Sequence, residues 1–110
     1  MGWQVPAIAL AMMVLDILFG FVQALKNNCV DSSKMRDGLF HKLGFIGAIV
    51  LAYLCEYALL YIDLGFTAPL VVPVCSFIIL TEVVSVLENL VLLAPELGNA
   101  KFMKIFGKDE

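Results

Sequence analysis

Four carboxyl groups interrupt stretches of this sequence that are otherwise apolar, and they are the side chains most able to do chemistry. They are Asp16, Glu56, Glu82 and Glu88. An ionised acid at the centre of a bilayer costs about 2.5–3.5 kcal/mol on insertion scales. No Lys, Arg or His lies in the same stretches. We therefore expect these acids to be protonated, hydrogen-bonded to one another, or exposed to water inside an assembly.

Catalysis is not the chemistry that these acids indicate. They are spread over three stretches rather than paired at one site, and the sequence shows no nucleophile elbow, phosphate-binding loop or His-based dyad. The three cysteines, Cys29, Cys55 and Cys75, lack metal-ligand spacing and are interpreted as small apolar residues. We expect a protein that is not an enzyme, without catalytic residues, metal, cofactor or a nucleic-acid partner.

The acids are carried by three apolar runs, residues 5–25, 43–62 and 70–93. Each run approaches or exceeds the roughly 20 residues that a helix needs to cross a hydrocarbon core. The hydrophobic content is 62%, against roughly 45–50% in soluble domains, and the mean hydropathy is +0.96. The sequence therefore predicts an all-α integral membrane protein, a single domain of residues 1–110 with three transmembrane helices.

Basic residues give this arrangement an orientation. All seven Lys and Arg residues lie within residues 26–42 and 101–108, and basic loops prefer the cytoplasmic side of a membrane. A linker of residues 26–42 and a tail of residues 94–110 are therefore expected in the cytoplasm, with the N-terminus outside.

The linker is expected to contain a short amphipathic helix at the membrane surface. Residues suited to an N-cap, Asp31 to Ser33, precede apolar residues at helical spacing. The basic side of this helix would contact lipid headgroups through Lys34, Arg36 and Lys42.

When each apolar run is drawn as a helix, with 100° of rotation per residue, one of its faces carries small or polar side chains. Asp16 and Glu82 come out at similar depth near mid-bilayer, so their carboxyl groups could meet. In the second run, small residues precede Glu56 at intervals of four, a spacing that lets transmembrane helices approach closely. The residues expected to line a pore or to associate helices are Asp16, Gly20, Gln23, Glu56, Glu82, Ser85, Glu88 and Asn89.

Three groups of residues follow one another in a distinctive order along nearly the whole chain. They are Asp16, Gly20 and Ala24; then Ser32, Ser33, Gly38, Leu39 and Lys42; then Glu82, Ser85, Glu88 and Asn89. In this order and spacing the sequence resembles the holin family associated with phage lysis and clostridial toxin secretion. The resemblance implies a multi-pass protein of the bacterial host cytoplasmic membrane that forms homo-oligomers in the lipid bilayer. Such a protein opens a non-selective lesion through which an endolysin or a toxin leaves the cell.

Two other classes of function stay open beside the holin interpretation. A ring of acids would suit a small channel for cations or protons, and a short apolar chain would suit an accessory subunit of a membrane complex. It also stays open whether the third run crosses the membrane completely. A helix lying partly in the inner interface would keep Glu88 and Asn89 wet without a pore.

Overall fold

Residues 2–98 are described by a computed structural model of the chain. In this range the secondary structure is helical, with α1 at Gln4–Lys26, α2 at Ser32–Ala58, α3 at Val71–Leu93 and a 3₁₀ turn at Pro95–Gly98. The all-α prediction is confirmed. The first part of the predicted tail contains the 3₁₀ turn, and the remainder of the tail lies outside the described residues.

Helix α1 ends where local backbone chemistry provides a stop. Asn28 has a φ of 54°, a left-handed conformation that asparagine tolerates better than most residues. The Cys29 N–H donates to the Ala24 carbonyl at 2.9 Å and the Asn28 N–H donates to the Leu25 carbonyl at 3.3 Å. These two bonds form a Schellman motif, which satisfies carbonyls that have no partner within the helix.

Helix α2 is one continuous helix that includes most of the predicted linker. It begins at Ser32, directly after Asp31, whose side chain accepts hydrogen bonds from the N–H groups of Ser33 and Lys34, as an N-cap does. No proline interrupts the chain between this cap and Ala58. The amphipathic stretch is therefore helical as expected, but it forms the first turns of α2 rather than a separate helix. The helix also ends four residues before the predicted limit at Ile62.

The segment between α2 and α3 turns through Gly65, whose φ is 80°. The Gly65 N–H donates to Asp63 Oδ1 at 2.9 Å. Helix α3 then begins at Val71, which places Pro73 in its first turn. A proline there removes no hydrogen bond from the helix, because the first N–H groups have no partner within it.

The three helices run alternately up and down, so α1 and α3 are parallel. The Tyr53 hydroxyl on α2 donates to the Gly2 carbonyl beside the start of α1, and Lys26 at the end of α1 reaches the last carbonyls of α3. Helix α3 packs along α1 and against α2, whereas α1 and α2 scarcely touch. The apolar core lies in the half of the bundle that holds the start of α1, and it consists of Ala9, Met13, Ile49, Ala52, Val71, Cys75 and Ile78.

The outer surface of this bundle is apolar. Large side chains are exposed on all three helices, among them Leu18, Val50, Leu51, Leu54, Phe77 and Leu80. The three helices have 23, 27 and 23 residues and are long and apolar enough to cross a membrane. At 1.5 Å per residue they measure about 35 to 40 Å. The chain is a multi-pass membrane protein whose polar side chains are gathered mainly inside the bundle and at its ends.

Candidate functional site

An ionic cluster joins all three helices near the middle of α1 and α3. The Lys42 ammonium on α2 lies 2.8 Å from Asp16 Oδ2 on α1 and 3.1 Å from Glu82 Oε1 on α3. Glu82 is only 1% exposed and Lys42 is 9% exposed. The sequence placed the two acids at similar depth, and the structure brings them to the same nitrogen.

This pairing corrects two expectations drawn from the sequence. Lys42 was expected to contact lipid headgroups, and the acids were expected to have no cation nearby. Because α2 begins at Ser32, Lys42 lies ten residues inside the helix, about 15 Å from its first residue. Its side chain therefore reaches the interior carboxylates rather than the membrane surface.

Asn89 on α3 completes the cluster. Its Nδ2 donates to Asp16 Oδ1 at 2.9 Å and has a longer contact with the Asp16 carbonyl at 3.4 Å. Gly20 leaves room for this amide, since a Cβ added to Gly20 would lie 3.4 Å from Asn89 Nδ2. Among residues 2–98, no buried side-chain nitrogen or oxygen lacks a hydrogen-bond partner. The cluster is thus fully satisfied, which is what makes buried charges tolerable in an apolar bundle.

An open cleft of about 370 Å³ adjoins the cluster, between α1, the first turns of α2 and the last turns of α3. Its polar lining includes Asp16, Gln23, Lys34, Lys42, Glu88 and Asn89. Gly20, Ala24 and Gly38 add small residues to its walls. The cleft therefore combines charged and amide groups with space for water.

Glu56 acts at the opposite end of the bundle from this cleft. Its Oε2 accepts hydrogen bonds from the N–H groups of Leu70 and Val71, at 2.5 Å and 2.7 Å. A carboxylate on the first N–H groups of α3 satisfies orphan donors and interacts favourably with the positive end of the helix dipole. Glu56 therefore joins the ends of α2 and α3.

Lys26 performs the converse role at the other end of α3. Its ammonium donates to the carbonyls of Leu93 at 2.9 Å and Leu92 at 3.4 Å. A cation at a helix C-terminus satisfies free carbonyls and complements the negative end of the dipole. This basic residue thus stabilises a helix end in addition to contributing positive charge to its side of the membrane.

The structure separates the residues that the sequence grouped as pore-lining or helix-associating. Five of them border the cleft: Asp16, Gly20, Gln23, Glu88 and Asn89. Glu82 is buried beneath the cleft with Lys42, and Glu56 caps α3. Ser85 is half-buried outside the cleft lining. Of the three predicted headgroup contacts, Lys34 and Arg36 are exposed near the start of α2.

Lys42 is the residue whose position sequence reasoning assigned wrongly, since it is buried and contacts Asp16 and Glu82. It stands one residue before the second apolar run, so it was counted with the linker. The sequence did contain a signal that Lys42 points inward. Lys42, Ile49 and Glu56 are spaced by seven residues and therefore share one face of the helix. Ile49 is buried and Glu56 is half-buried, so this face of α2 points inward.

The geometry of these groups suits charge pairing and hydration rather than metal binding. Within the part of the chain that the structure describes, no three His, Cys, Asp or Glu side chains come together in an arrangement suited to a metal ion. The Asp16 and Glu82 carboxylates are occupied by an ammonium and an amide. What the arrangement can do chemically is hold charge inside the bundle and present polar groups to water in the cleft.

Comparison with known proteins adds one finding. The model of the bacteriophage holin family matches residues 2–100, which is nearly the whole chain. No curated protein and no solved structure matches it significantly.

Proposed function

Since the chain belongs to the bacteriophage holin family, we propose that it oligomerises in the bacterial cytoplasmic membrane and opens non-selective lesions. The match over residues 2–100 carries this proposal. Through such a lesion an endolysin would reach the cell wall, or a toxin would leave the cell. The protein itself would perform no catalysis.

The structure supports a lesion in two ways. The exposed apolar surface allows a protomer to lie in lipid, while the cleft provides a polar surface that one protomer cannot extend across the membrane alone. Joining the clefts of several protomers would surround water with polar groups on all sides. We assign the lesion surface to the cleft residues Asp16, Gly20, Gln23, Glu88 and Asn89.

The orientation belongs to the same proposal. Lys26, Lys34 and Arg36 lie at one end of the bundle, together with the end of α3. Because basic segments prefer the cytoplasmic side, we infer that the cleft end faces the cytoplasm and the Glu56 end faces outward. The endolysin or toxin would then meet the cleft end first.

Induced expression in a bacterium tests the proposal directly. The chain is co-expressed with a cytoplasmic endolysin that lacks an export signal, and membrane potential and culture turbidity are followed together. We expect a lag, an abrupt loss of potential, and then lysis. Cultures expressing the endolysin alone and the chain alone are the controls, and neither should lyse at that time.

A different outcome would favour the channel alternative. Gradual, ion-selective conductance that releases no protein would contradict a non-selective lesion. Retention of the potential with no conductance at all would instead favour an accessory subunit.

A further inference from the structure

The first ten residues of α2 are attached to the bundle differently from the rest of that helix. We call residues 32–41 the arm. No residue of the arm is buried, and Met35 and Gly38 are half-buried. The buried residues of α2 are Lys42, Ile49 and Ala52, of which the last two belong to the apolar core. Lys42 is therefore the point where α2 first enters the interior.

Lys42 binds the two other helices at once. Its ammonium contacts Asp16 of α1 at 2.8 Å and both carboxylate oxygens of Glu82 of α3, at 3.1 Å and 3.3 Å. Helices α1 and α2 otherwise scarcely touch, and the open cleft separates them beside the arm. No arm residue is buried, so apart from the turn at residues 27–31 the arm is held in place mainly by this ionic contact.

The same contact opposes separation in lipid. If the arm moved away, the Lys42 ammonium and the Glu82 carboxylate would lose each other inside an apolar bundle, where an unpaired charge is very costly, and Asp16 would keep only its bond from Asn89. Water in an assembled lesion would remove most of that cost. Separation is therefore unfavourable in an isolated protomer and becomes acceptable once the cleft is hydrated.

We propose that Lys42 is a clasp that holds the arm in place as one wall of the cleft, and that lesion formation requires the release of this clasp. The inference rests on the proposed function for the meaning of the open state. The clasp itself is a property of one protomer. Lys42 acts through Asp16 and Glu82 and is therefore a positioning residue.

The distance between the arm and α1 tests the clasp without reference to lysis. Spin labels are placed at Asp37→Cys on the arm and Val22→Cys on α1, both exposed positions, in a background with Cys29→Ser and Cys55→Ser. Buried Cys75 is retained. The full chain is studied in liposomes and diluted with unlabelled protein, so that pulsed dipolar measurements report distances within one protomer.

Three variants are compared with the parent in this measurement. Lys42→Met should shift the distribution to longer distances, because the arm loses its ionic partners. Lys42→Arg, which keeps a cation for both carboxylates, should retain the parental distribution. Arg36→Met removes one positive charge from the exposed side of the same arm, where Arg36 contacts its own helix at Ser33, and should leave the distances unchanged.

A second readout separates a clasp from a residue that only supports folding. Lys42→Met should start lysis earlier than the parent in the endolysin assay, whereas simple loss of structure would delay or abolish lysis. If Lys42→Met fails to accumulate in membranes, Asp16→Asn removes the charge of the closer carboxylate and should give the same two shifts in smaller degree.

Unchanged distances in Lys42→Met, or unchanged distances in Asp16→Asn if that variant must replace it, would overturn the clasp. Later lysis with unchanged distances would overturn it as well. If the parent chain itself never releases endolysin, longer distances in Lys42→Met would leave the clasp standing and defeat the proposed lesion, so the two failures are distinguishable.

Discussion

The Asn89 side chain donates a hydrogen bond to Asp16 Oδ1 at 2.9 Å and thereby fixes α3 against α1 beside the ionic cluster. Gly20, one turn after Asp16, faces this amide, and a Cβ there would already touch Asn89 Nδ2 at 3.4 Å, so the amide leaves no space for a side chain much larger than a methyl group. A polar contact inside the bundle thus depends on a small residue next to it.

Enlarging Gly20 should break this contact. The Cβ of a Gly20→Val variant would lie 3.4 Å from Asn89 Nδ2, and its methyl groups would displace the amide. We expect a loss of about 1–3 kcal/mol in the free energy of unfolding, as for other overpacked interiors, measured by denaturation in detergent micelles. Gly47→Val on α2 is the matched control, because nothing lies within 4 Å of a Cβ there. Equal losses in the two variants would contradict a specific role for Gly20.

Neutralising substitutions in the cluster should have unequal effects on stability. Lys42→Met leaves the buried Glu82 carboxylate and the half-buried Asp16 carboxylate without a cation and should cost about 3–5 kcal/mol. Glu82→Gln keeps an oxygen acceptor and the shape of the side chain, and it leaves Lys42 paired with Asp16. Its cost should be smaller, about 1 kcal/mol. Unfolding in micelles near pH 7 compares them, and a costlier Glu82→Gln would show that Lys42 depends chiefly on Glu82.

The Glu56 cap should protect the beginning of α3. Glu56→Ala removes the acceptor for the Leu70 and Val71 N–H groups and should cost about 0.5–2 kcal/mol, the range for loss of a helix cap. Hydrogen exchange in micelles should become faster at these two amides. Asp63→Asn is a suitable control, since Asp63 accepts from the Gly65 N–H and not from α3. Unaltered exchange at Leu70 and Val71 would show that water replaces the cap.

The proposed orientation is tested by the thiol of Cys29. Cys29 is exposed in the turn between α1 and α2, and Cys75 is buried. In a Cys55→Ser background, a membrane-impermeant thiol reagent should label Cys29 in inverted vesicles and leave it unlabelled in intact spheroplasts. Addition of Cys29→Ser should abolish the labelling. Labelling in spheroplasts alone would reverse the assignment of the two sides.

Apolar run length was enough to predict three long helices, because a hydrophobic stretch of that length has few other stable forms in a bilayer. It was not enough to define their ends. The Asp31 cap pulled the start of α2 eleven residues ahead of Leu43, where the predicted run began. A run defined by hydropathy stops at a charged residue such as Lys42, whereas the helix itself continues through that residue.

The partners of the acids could not be predicted from the same pattern. Depth counting indicated that Asp16 and Glu82 could meet, but it gave no information about the third group between them. The Glu56 cap depends on where the segment between α2 and α3 turns, which is a tertiary property. Lys26 likewise appeared as one more basic residue, although its role depends on the end of α3 lying beside the end of α1.

The Glu56 cap has a mechanical consequence for the proposed movement of α2. It joins α2 to α3 at the end far from the arm, and the apolar core holds α2 in the same half. Helix α2 would therefore act as a lever whose fulcrum lies near one face of the membrane and whose other end, joined to α1 by residues 27–31, lies near the other face. A tilt of α2 about that fulcrum would open a wedge-shaped gap, widest at the membrane face where Lys26, Lys34 and Arg36 lie. The first water to enter would come from that face.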